Sequence, residues 1–586
     1  MHHRPIRLRA SRRFAWLVLL LLCGAVVSGC RHAPVTVGQG ADSFTGVVRG
    51  SRNPQVARYT VRVHSAAQVT IEFGPTTAYG LKTWTISASP RHPATVLVAG
   101  MQAKTRYHMR ALVRFADGTE VDDVDHTFRT GHYKLSMLPP ITVQTTGKPQ
   151  PGVELLNPVM RSSYQAIVTD LQGHVLWAYN YPDRQSAFDI QVHRYIHAAH
   201  LTLVNWWEWV KHQFGAKGSG NPALWDKSMW KPAPPDQRFT TIINPIKLLP
   251  NGNFIAVIGL IPEALTDSPD GAPPPHTTLA LREFNLAGQT VRNLTMPALN
   301  RRLKAIGYKG PRIEMLTHDV TILPDGHLIV LGDGTREYHM PGYEGSPWVA
   351  GDILIELDQS FNPVWTWNEF DHLDVTRHPT DFPDWTHSNA VLYTRDDGNL
   401  IVSMRTQNWI IKVDFANGKG TGKILWRLGV DGDLRLIGGQ SPAGWPYGQH
   451  GPAIVGDRDA GIFDLAVMDN GYGSTTKDGK MCGLKDLPGC TTDAVIYRMD
   501  ENAKTATIVF RKVYPESQYS FFGGDVQSLG NDQMEVDLCA VGPHSDIYDY
   551  QLSQGDDAAP LWHMQVDKTN VYRSERLGSL YPAVEW

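Results

Sequence analysis

Beyond residue 27 the chain has no apolar run long enough to span a bilayer, no cluster of lysine or arginine, and little extended helical periodicity. The first lack leaves no later segment to cross a membrane as a helix. The second speaks against nucleic acid as a partner, because phosphate backbones are held by basic stripes. The third, with Gly 53 and Pro 39 scattered among short apolar runs, argues for an all-β protein. Cysteine is also scarce, at five residues. Cys482 and Cys490 bracket the short polar loop "GLKDLPG", and no nearby His or Cys completes a metal set around them. In an oxidising compartment that pair is expected as a disulfide closing a hairpin. Cys539, alone in "MEVDLCAV", is expected as buried packing.

What is present begins with an export signal. Arg4, Arg7, Arg9, Arg12 and Arg13 precede the apolar run "FAWLVLLLLCGAVV", with no acid among them. The run is short for a span and reads as the core of a signal peptide. It ends at Val27-Ser28-Gly29-Cys30, which resembles a bacterial lipobox, so Cys30 is the expected lipidation site and the chain is expected on the periplasmic side of a bacterial membrane, tethered by lipid. Ser11-Arg12-Arg13-Phe14 departs in spacing from a twin-arginine signal. Loss of residues 1 to 29 removes five positive charges and moves the formal net charge from −3 to about −8.

The mature length suggests more than one domain. After a tether over 30–54, residues 55–135 read as short alternating strands such as "ARYTVRVH", "QVTIEFG" and "YHMRALVRF". They resemble a fibronectin type III sandwich, with Tyr107 as its corner tyrosine. "MLPPITVQTTGKPQPG" reads as the linker, assigned to 136–154.

Residues 155–586 carry a degenerate repeat of two alternating hairpins. One appears six times, as in "AIVTDLQGHVLWAYN", "ILIELDQSFNPVWTWN" and "VIYRMDENAKTATIVFR". The other also appears six times, as in "DIQVHRYIHAAHLTLVNWW", "NPIKLLPNGNFIAVIG", "HDVTILPDGHLIVLGDG" and "HSNAVLYTRDDGNLIVSMR". The turns "PNGN", "PDGH" and "DDGN" hold Asn-Gly or Asp-Gly, the strongest short hairpin signal. Two hairpins per unit and six units predict a six-bladed β-propeller; a seven-bladed count is the alternative.

Aligned across units, the residue that begins each inner strand is Asp189, Asn244, His318, His387, His450 and Gly524. Inner strands line a propeller's channel, so three consecutive blades are expected to aim a histidine at one spot. The ordinary role of such residues is to cap turns. Asn389, two residues beyond His387, shares its strand face. Arg405 stands on the partner strand of that hairpin. Three histidines can hold zinc, but Arg405 would repel the ion. An anionic tetrahedral group, sulfuryl or phosphoryl, is served by Arg, Asn and His donors, and a neutral imidazole is a competent nucleophile near pH 7.

The strings "LTHDVTILPDGHLIVLGDG", "DWTHSNAVLYTRDDGNLIVSMRTQNWIIKVD", "GQHGPAIV" and "FDLAVMDNG" resemble the bacterial PAPS-independent arylsulfate sulfotransferases. That resemblance implies a six-bladed propeller behind a β-sandwich, and ping-pong transfer of a sulfuryl group from an aryl sulfate donor to a phenolic acceptor. It implies no cofactor, and it admits a homodimer. It marks His450 as the nucleophile that forms a sulfohistidine, with His318, His387, Asn389 and Arg405 holding sulfuryl oxygens and assisting proton transfer. Which of His318 and His387 acts as base stays open.

Two departures stand against it. The family often has an acid after the nucleophile, where this chain has Gly451, and the stretch "YSFFGGDV" lacks the small hydroxyl residue expected there. Trp385, Trp409, Tyr447 and Phe521 border the motifs and are candidates to stack on an aryl ring, although such aromatics ordinarily pack. The rival readings are a metal-dependent propeller hydrolase or lactonase, and a non-catalytic lipoprotein that binds an anionic ligand or a protein partner.

Overall fold

A computed structural model describes residues 36–37, 44–160, 164–179, 241–242, 246–259, 280–338, 348–380, 384–483 and 488–586. The signal segment, Cys30, Asp189, Asn244 and the hairpin expected at 189–207 lie outside them. The protein is all-β: among the described residues Met296–Ala305 is the single α-helix, begun by Pro297 and docked through buried Leu299 and Leu303 on one face. No helix among them is long and apolar enough to cross a membrane.

Two antiparallel sheets come first. One runs Thr36–Val37, Phe44–Gly50, Ala57–Val63, Ala94–Val98; the other is built on Ala67–Gly74 and Arg106–Phe115. Alternating side chains of both, among them Tyr59, Val61, Ile71, Phe73, Val96 and Met109, share one core. This unit starts before the expected boundary at 55. Phe44, Gly46 and Val48 face the core in regular alternation; the apolar pattern is broken in the sequence because Gly46 stands where a Cβ would strike Asp123. The Tyr107 hydroxyl accepts from the Gln102 backbone N–H at 3.0 Å, closing the corner five residues upstream. Gln55 and Asn53 donate to the carbonyls of Val175 (2.9 Å) and Ala178 (3.1 Å), joining this unit to the next.

Six further antiparallel sheets follow. Sheet I runs Asn570–Leu577, Val153–Met160, Ala166–Thr169, Val175–Tyr179. In sheet II, Lys247–Leu248 and Thr241–Ile242 flank Phe254–Gly259, then Ala280–Phe284 and Thr290–Thr295. Sheet III is Met315–Ile322, Leu328–Glu337, Trp348–Leu357, Pro363–Asn368; sheet IV is Ser388–Tyr393, Leu400–Met404, Trp409–Val413, Ile424–Gly429. Sheet V runs His450–Asp459, Ile462–Asp469, Asp493–Asp500, Thr505–Val513, with Arg435–Ile437 added in parallel. Sheet VI runs Asp525–Gly530, Gln533–Val541, His544–Gln551, Trp562–Asp567, Ile141–Thr145. The expected Asn-Gly and Asp-Gly turns join the first two strands of sheets II, III and IV, with Gly252, Gly326 and Gly398 in the left-handed region that the turns demand. One strand from each of the six sheets lines a common cavity of about 590 Å³, through Lys247, Thr321, Val391, Ala453, Val526 and Ser574.

Two sequence expectations are corrected. Sheet I takes its inner strand from Asn570–Leu577, near the far end of the chain, rather than from the hairpin beside it in sequence. The stretch expected as pure linker contributes Ile141–Thr145 to the outer edge of sheet VI. Both pairings tie the front of this region to its back and cover edges that would otherwise be open. Buried Arg576 reinforces the seam, reaching Glu154 (2.7 Å), Glu535 (3.0 Å) and Asp549 (3.2 Å) on three other strands. Cys482 and Cys490 form the expected disulfide, and Cys539 is buried and free.

Candidate functional site

His450 opens its inner strand, His387 stands one residue before its own, and His318 lies within Met315–Ile322; each is at or beside a register slip, between Thr317 and Val320, Ser388 and Ala390, and His450 and Ala453. A bulge re-aims a side chain that a regular strand would send to one face. His318 (φ +55) and His387 (φ +46) hold the left-handed conformation, which is strained for a side chain of this size. Their ring centroids lie 4.5 Å apart. His450 joins them across Tyr572, whose ring centre is 6.2 Å from His318 and 6.1 Å from His450. The large cavity reaches Asp319, Gly451 and Arg573, each next in sequence to one of these residues, so the site stands at one end of it.

The hydrogen bonds set the tautomer of His450. Its Nδ1 faces two acceptors, Asn470 Oδ1 at 2.7 Å and the Gly448 carbonyl at 3.1 Å. Asn470 cannot turn its amide around, because its Nδ2 donates to the carbonyls of Ser520 (2.7 Å) and Gly523 (3.0 Å). Nδ1 therefore carries the proton and Nε2 the lone pair. Burial, then the charge of Arg405, push the His450 pKa well below the usual imidazole range, so the ring is neutral at pH 7. His318 is held down in the same way by burial, then by His387 and His450.

His387 differs. Its Nδ1 lies 2.8 and 3.0 Å from the two carboxylate oxygens of Asp384. Burial alone would raise the Asp384 pKa, but His387 and Arg405 hold it below the ordinary value, so it is a carboxylate. The chain on both sides of His387 is pinned to sheet III: Thr386 Oγ1 and the Ser388 N–H donate to Asp352 Oδ2 (3.0 and 2.6 Å), and Ser388 Oγ donates to Glu369 Oε1 (2.6 Å). Burial pushes Glu369 up to about 7 and, with neighbouring acids, raises Asp352 and Asp333.

Arg405 is nearly buried, its guanidinium carbon 4.4 Å over the Tyr472 ring and its Nε without a partner among the described residues. Asn389 is buried beside it; its Nδ2 donates to the Gln449 carbonyl at 2.7 Å and its Oδ1 is unpartnered. Arg573 donates to the Asn389 carbonyl at 2.5 Å and lies 3.7 Å from Asp319.

The aromatic expectations divide. Trp385 and Trp409 are packed inside, their indole N–H groups bonded to the carbonyls of Arg377 (2.9 Å) and Val430 (2.8 Å), so neither offers a free face to a ligand. Tyr447 is partly exposed, and Phe521 lies against Phe522 and the disulfide cluster. Gly451 needs its lack of side chain: at φ +40, a Cβ would sit 2.2 Å from Asp525 Cβ. The side chain that meets His450 Nδ1 is Asn470 rather than a residue next to it in sequence.

The residues missed at the sequence level are Asn470, Asp384, Tyr572 and Arg573. Asn470 stood in the motif "FDLAVMDNG", and Asp384 lies three residues before His387; both were open to notice. Tyr572 and Arg573 had no repeat signal, since their strand pairs across the seam.

For a metal, the three histidines do not bring three ligand atoms within 4.8 Å of one another. Among the described residues that spacing occurs for Asp325, His327 and Glu356, at the hairpin turn of sheet III. The matching turn of sheet II is fastened without a histidine, by Asn251 and Asn253 on Glu283, which marks the group as a turn clasp.

Residues 143–570 match the model of a family described as Arylsulfotransferase (ASST). No curated protein matches the chain. Similar solved structures include a putative 6-phosphogluconolactonase from Bacteroides fragilis, at 9% identity and a TM-score of 0.32 over 87% of this chain and 98% of that one. A Synechocystis apocarotenoid oxygenase mutant is similar at 11% identity and 0.28 over 91% and 95%. The dihydro-heme d1 dehydrogenase NirN is similar at 11% and 0.27 over 75% and 78%. These overlaps are too loose to equate the folds.

Proposed function

The chain belongs to the arylsulfotransferase family, and from that premise we propose that it moves a sulfuryl group from an aryl sulfate to a phenolic acceptor through a covalent intermediate on His450. The six sheets are the blades of a propeller, preceded by a fibronectin-III-like sandwich. The observation that carries the reading is the tautomer of His450: a neutral ring with Nδ1–H held by Asn470 and the Nε2 lone pair left to attack.

In the first step Nε2 attacks sulfur, the S–O bond to the aryl group breaks, and the leaving oxygen takes a proton from His387. In the second, the acceptor phenol returns a proton to His387, its oxygen attacks sulfur, and the N–S electron pair goes back to Nε2. A phenol with a pKa near 10 is protonated at pH 7 and needs a base. Asp384 suits His387 to this task by holding its Nδ1–H and steadying the imidazolium. His318, buried and neutral, stays an uncharged partner. Arg405 and Arg573 supply positive charge to the developing oxyanion. Asn389 spends an N–H on the Gln449 carbonyl, so its larger part is to steady the strand leading into His450.

Residues 1–29 would be removed on export and Cys30 acylated, leaving the enzyme on the periplasmic side of the membrane. The experiment is incubation with 4-nitrophenyl sulfate, with and without phenol, followed by intact-mass measurement. An added sulfuryl mass, discharged by phenol and absent in His450→Ala, is expected. Nitrophenol release indifferent to both phenol and His450 would refute the proposal, as would sulfate binding with no turnover.

A further inference from the structure

Tyr572 belongs to no motif, yet its ring stands between His318 and His450 and meets His450 edge-on at 84°. It is 6% exposed. Its hydroxyl is buried and makes no well-formed hydrogen bond among the described residues; the neighbouring Arg573 guanidinium, a donor only, leaves the hydroxyl proton free. That is unusual for a buried tyrosine. Tyr59, Tyr107, Tyr133, Tyr497 and Tyr581 each have their hydroxyls bonded within the protein, and the other two unpartnered hydroxyls, of Tyr308 and Tyr514, lie away from the histidines. Nor is it alone here: His318 Nδ1, Arg405 Nε and Arg573 Nε are buried around the same spot and equally unpartnered. The unpaired donors of Tyr572, Arg405 and Arg573 beside the imidazoles of His318 and His450 suit one kind of guest, a tetrahedral oxyanion. Burial raises the Tyr572 pKa and outweighs the opposing charge of Arg573, so the hydroxyl keeps its proton and can donate.

The surroundings are shaped around the ring. The Gly524 N–H donates to the Tyr572 carbonyl at 2.9 Å, and a Cβ on Gly523 would come within 3.2 Å of the Tyr572 ring. Gly523, just before the inner strand of sheet VI, thus lets both Cys539 and the Tyr572 ring come close.

We infer that Tyr572 is a further catalytic residue of the transfer proposed above, and rests on that reading: its hydroxyl donates a hydrogen bond to a non-bridging sulfuryl oxygen as the group moves on to and off His450. The oxygen is non-bridging because Tyr572 lies beside the nucleophile, whereas an in-line displacement puts the bridging oxygen on the far side of sulfur. The hydroxyl keeps its own proton throughout, and no bond to it forms or breaks.

The test is Tyr572→Phe, which keeps the ring and removes only the oxygen. Its melting temperature should equal or exceed that of the parent, because the oxygen has no well-formed hydrogen bond to lose. Its kcat/KM should fall by roughly 10²-fold, and by the same factor for phenyl sulfate as for 4-nitrophenyl sulfate. Inorganic sulfate should bind it more weakly by calorimetry. Activity within twofold of the parent overturns the inference, and so does a loss that deepens as the leaving phenol becomes more basic, which would place the contact on the bridging oxygen. If the parent itself transfers no sulfuryl group, the functional reading fails separately. Sulfate binding then decides: weaker binding by the Phe variant keeps Tyr572 as an oxyanion donor, and equal binding removes it.

Discussion

Replacing Asn470 by alanine would release the tautomer of His450 without touching the ring itself. Two things are lost. The Nδ1–H keeps only the Gly448 carbonyl, at 3.1 Å, in place of the 2.7 Å bond to Oδ1. The Gly523 carbonyl loses its donor, and the Ser520 carbonyl keeps only the Thr492 hydroxyl at 3.3 Å. A buried hydrogen bond contributes about 0.5–1.5 kcal/mol net, so weakening the hold on Nδ1 should lower kcat/KM about two- to tenfold, at about 1.4 kcal/mol per tenfold. The orphaned Gly523 carbonyl should cost about 1–3 kcal/mol of stability. Asn470→Asp gives a different signature. A carboxylate still accepts from Nδ1–H but stabilises the imidazolium, so the His450 pKa rises. In the parent that pKa lies well below 6.5, so activity owed to the neutral ring is flat from pH 6.5 upward and is lost only at lower pH. In the Asp variant the acid limb should move up toward neutrality. The assay is single-turnover release of nitrophenol from 4-nitrophenyl sulfate between pH 5 and 8, with urea unfolding as the stability control. An alanine variant with parental rates, or an aspartate variant with an unmoved acid limb, would show that Asn470 does not set the tautomer.

Two further outcomes test the frame of the site. Gly451→Ala should destabilise by more than the roughly 1–2 kcal/mol of a left-handed alanine, because its Cβ would also strike the Asp525 side chain and backbone; urea unfolding at the parental midpoint would refute the close approach. Arg576→Ala leaves Glu154, Glu535 and Asp549 buried without their shared cation, and should cost about 3–5 kcal/mol, read as a lower urea midpoint; a loss under about 1 kcal/mol, the value of an exposed pair, would mean the seam is held by its backbone ladder alone.

Much of the architecture was legible because it is local. Alternating apolar residues bounded by Asn-Gly and Asp-Gly turns specify hairpins within about twenty residues, and the turns at Gly252, Gly326 and Gly398 formed where expected. The disulfide was legible for the same reason: its cysteines are separated by eight positions. His318, His387 and His450 could be aligned because each stands at or beside the register slip of the inner strand in its own repeat.

Whatever joins distant strands was not legible. Asn570–Leu577 pairs with Val153–Met160 more than 400 residues away, and no periodicity says which strand completes sheet I. That pairing alone carries Tyr572 and Arg573 to the histidines. The Trp385 and Trp409 side chains, read as candidates for an aryl ring, were claimed by packing, because an apolar ring is buried wherever neighbouring sheets leave room for it. By itself the sequence determined that the chain is all-β, which segments are hairpins, and which histidines share a place in the repeat. Only the tertiary structure decided that the His450 proton sits on Nδ1. That proton is placed by an amide whose own orientation depends on carbonyls 50 and 53 residues further along the chain.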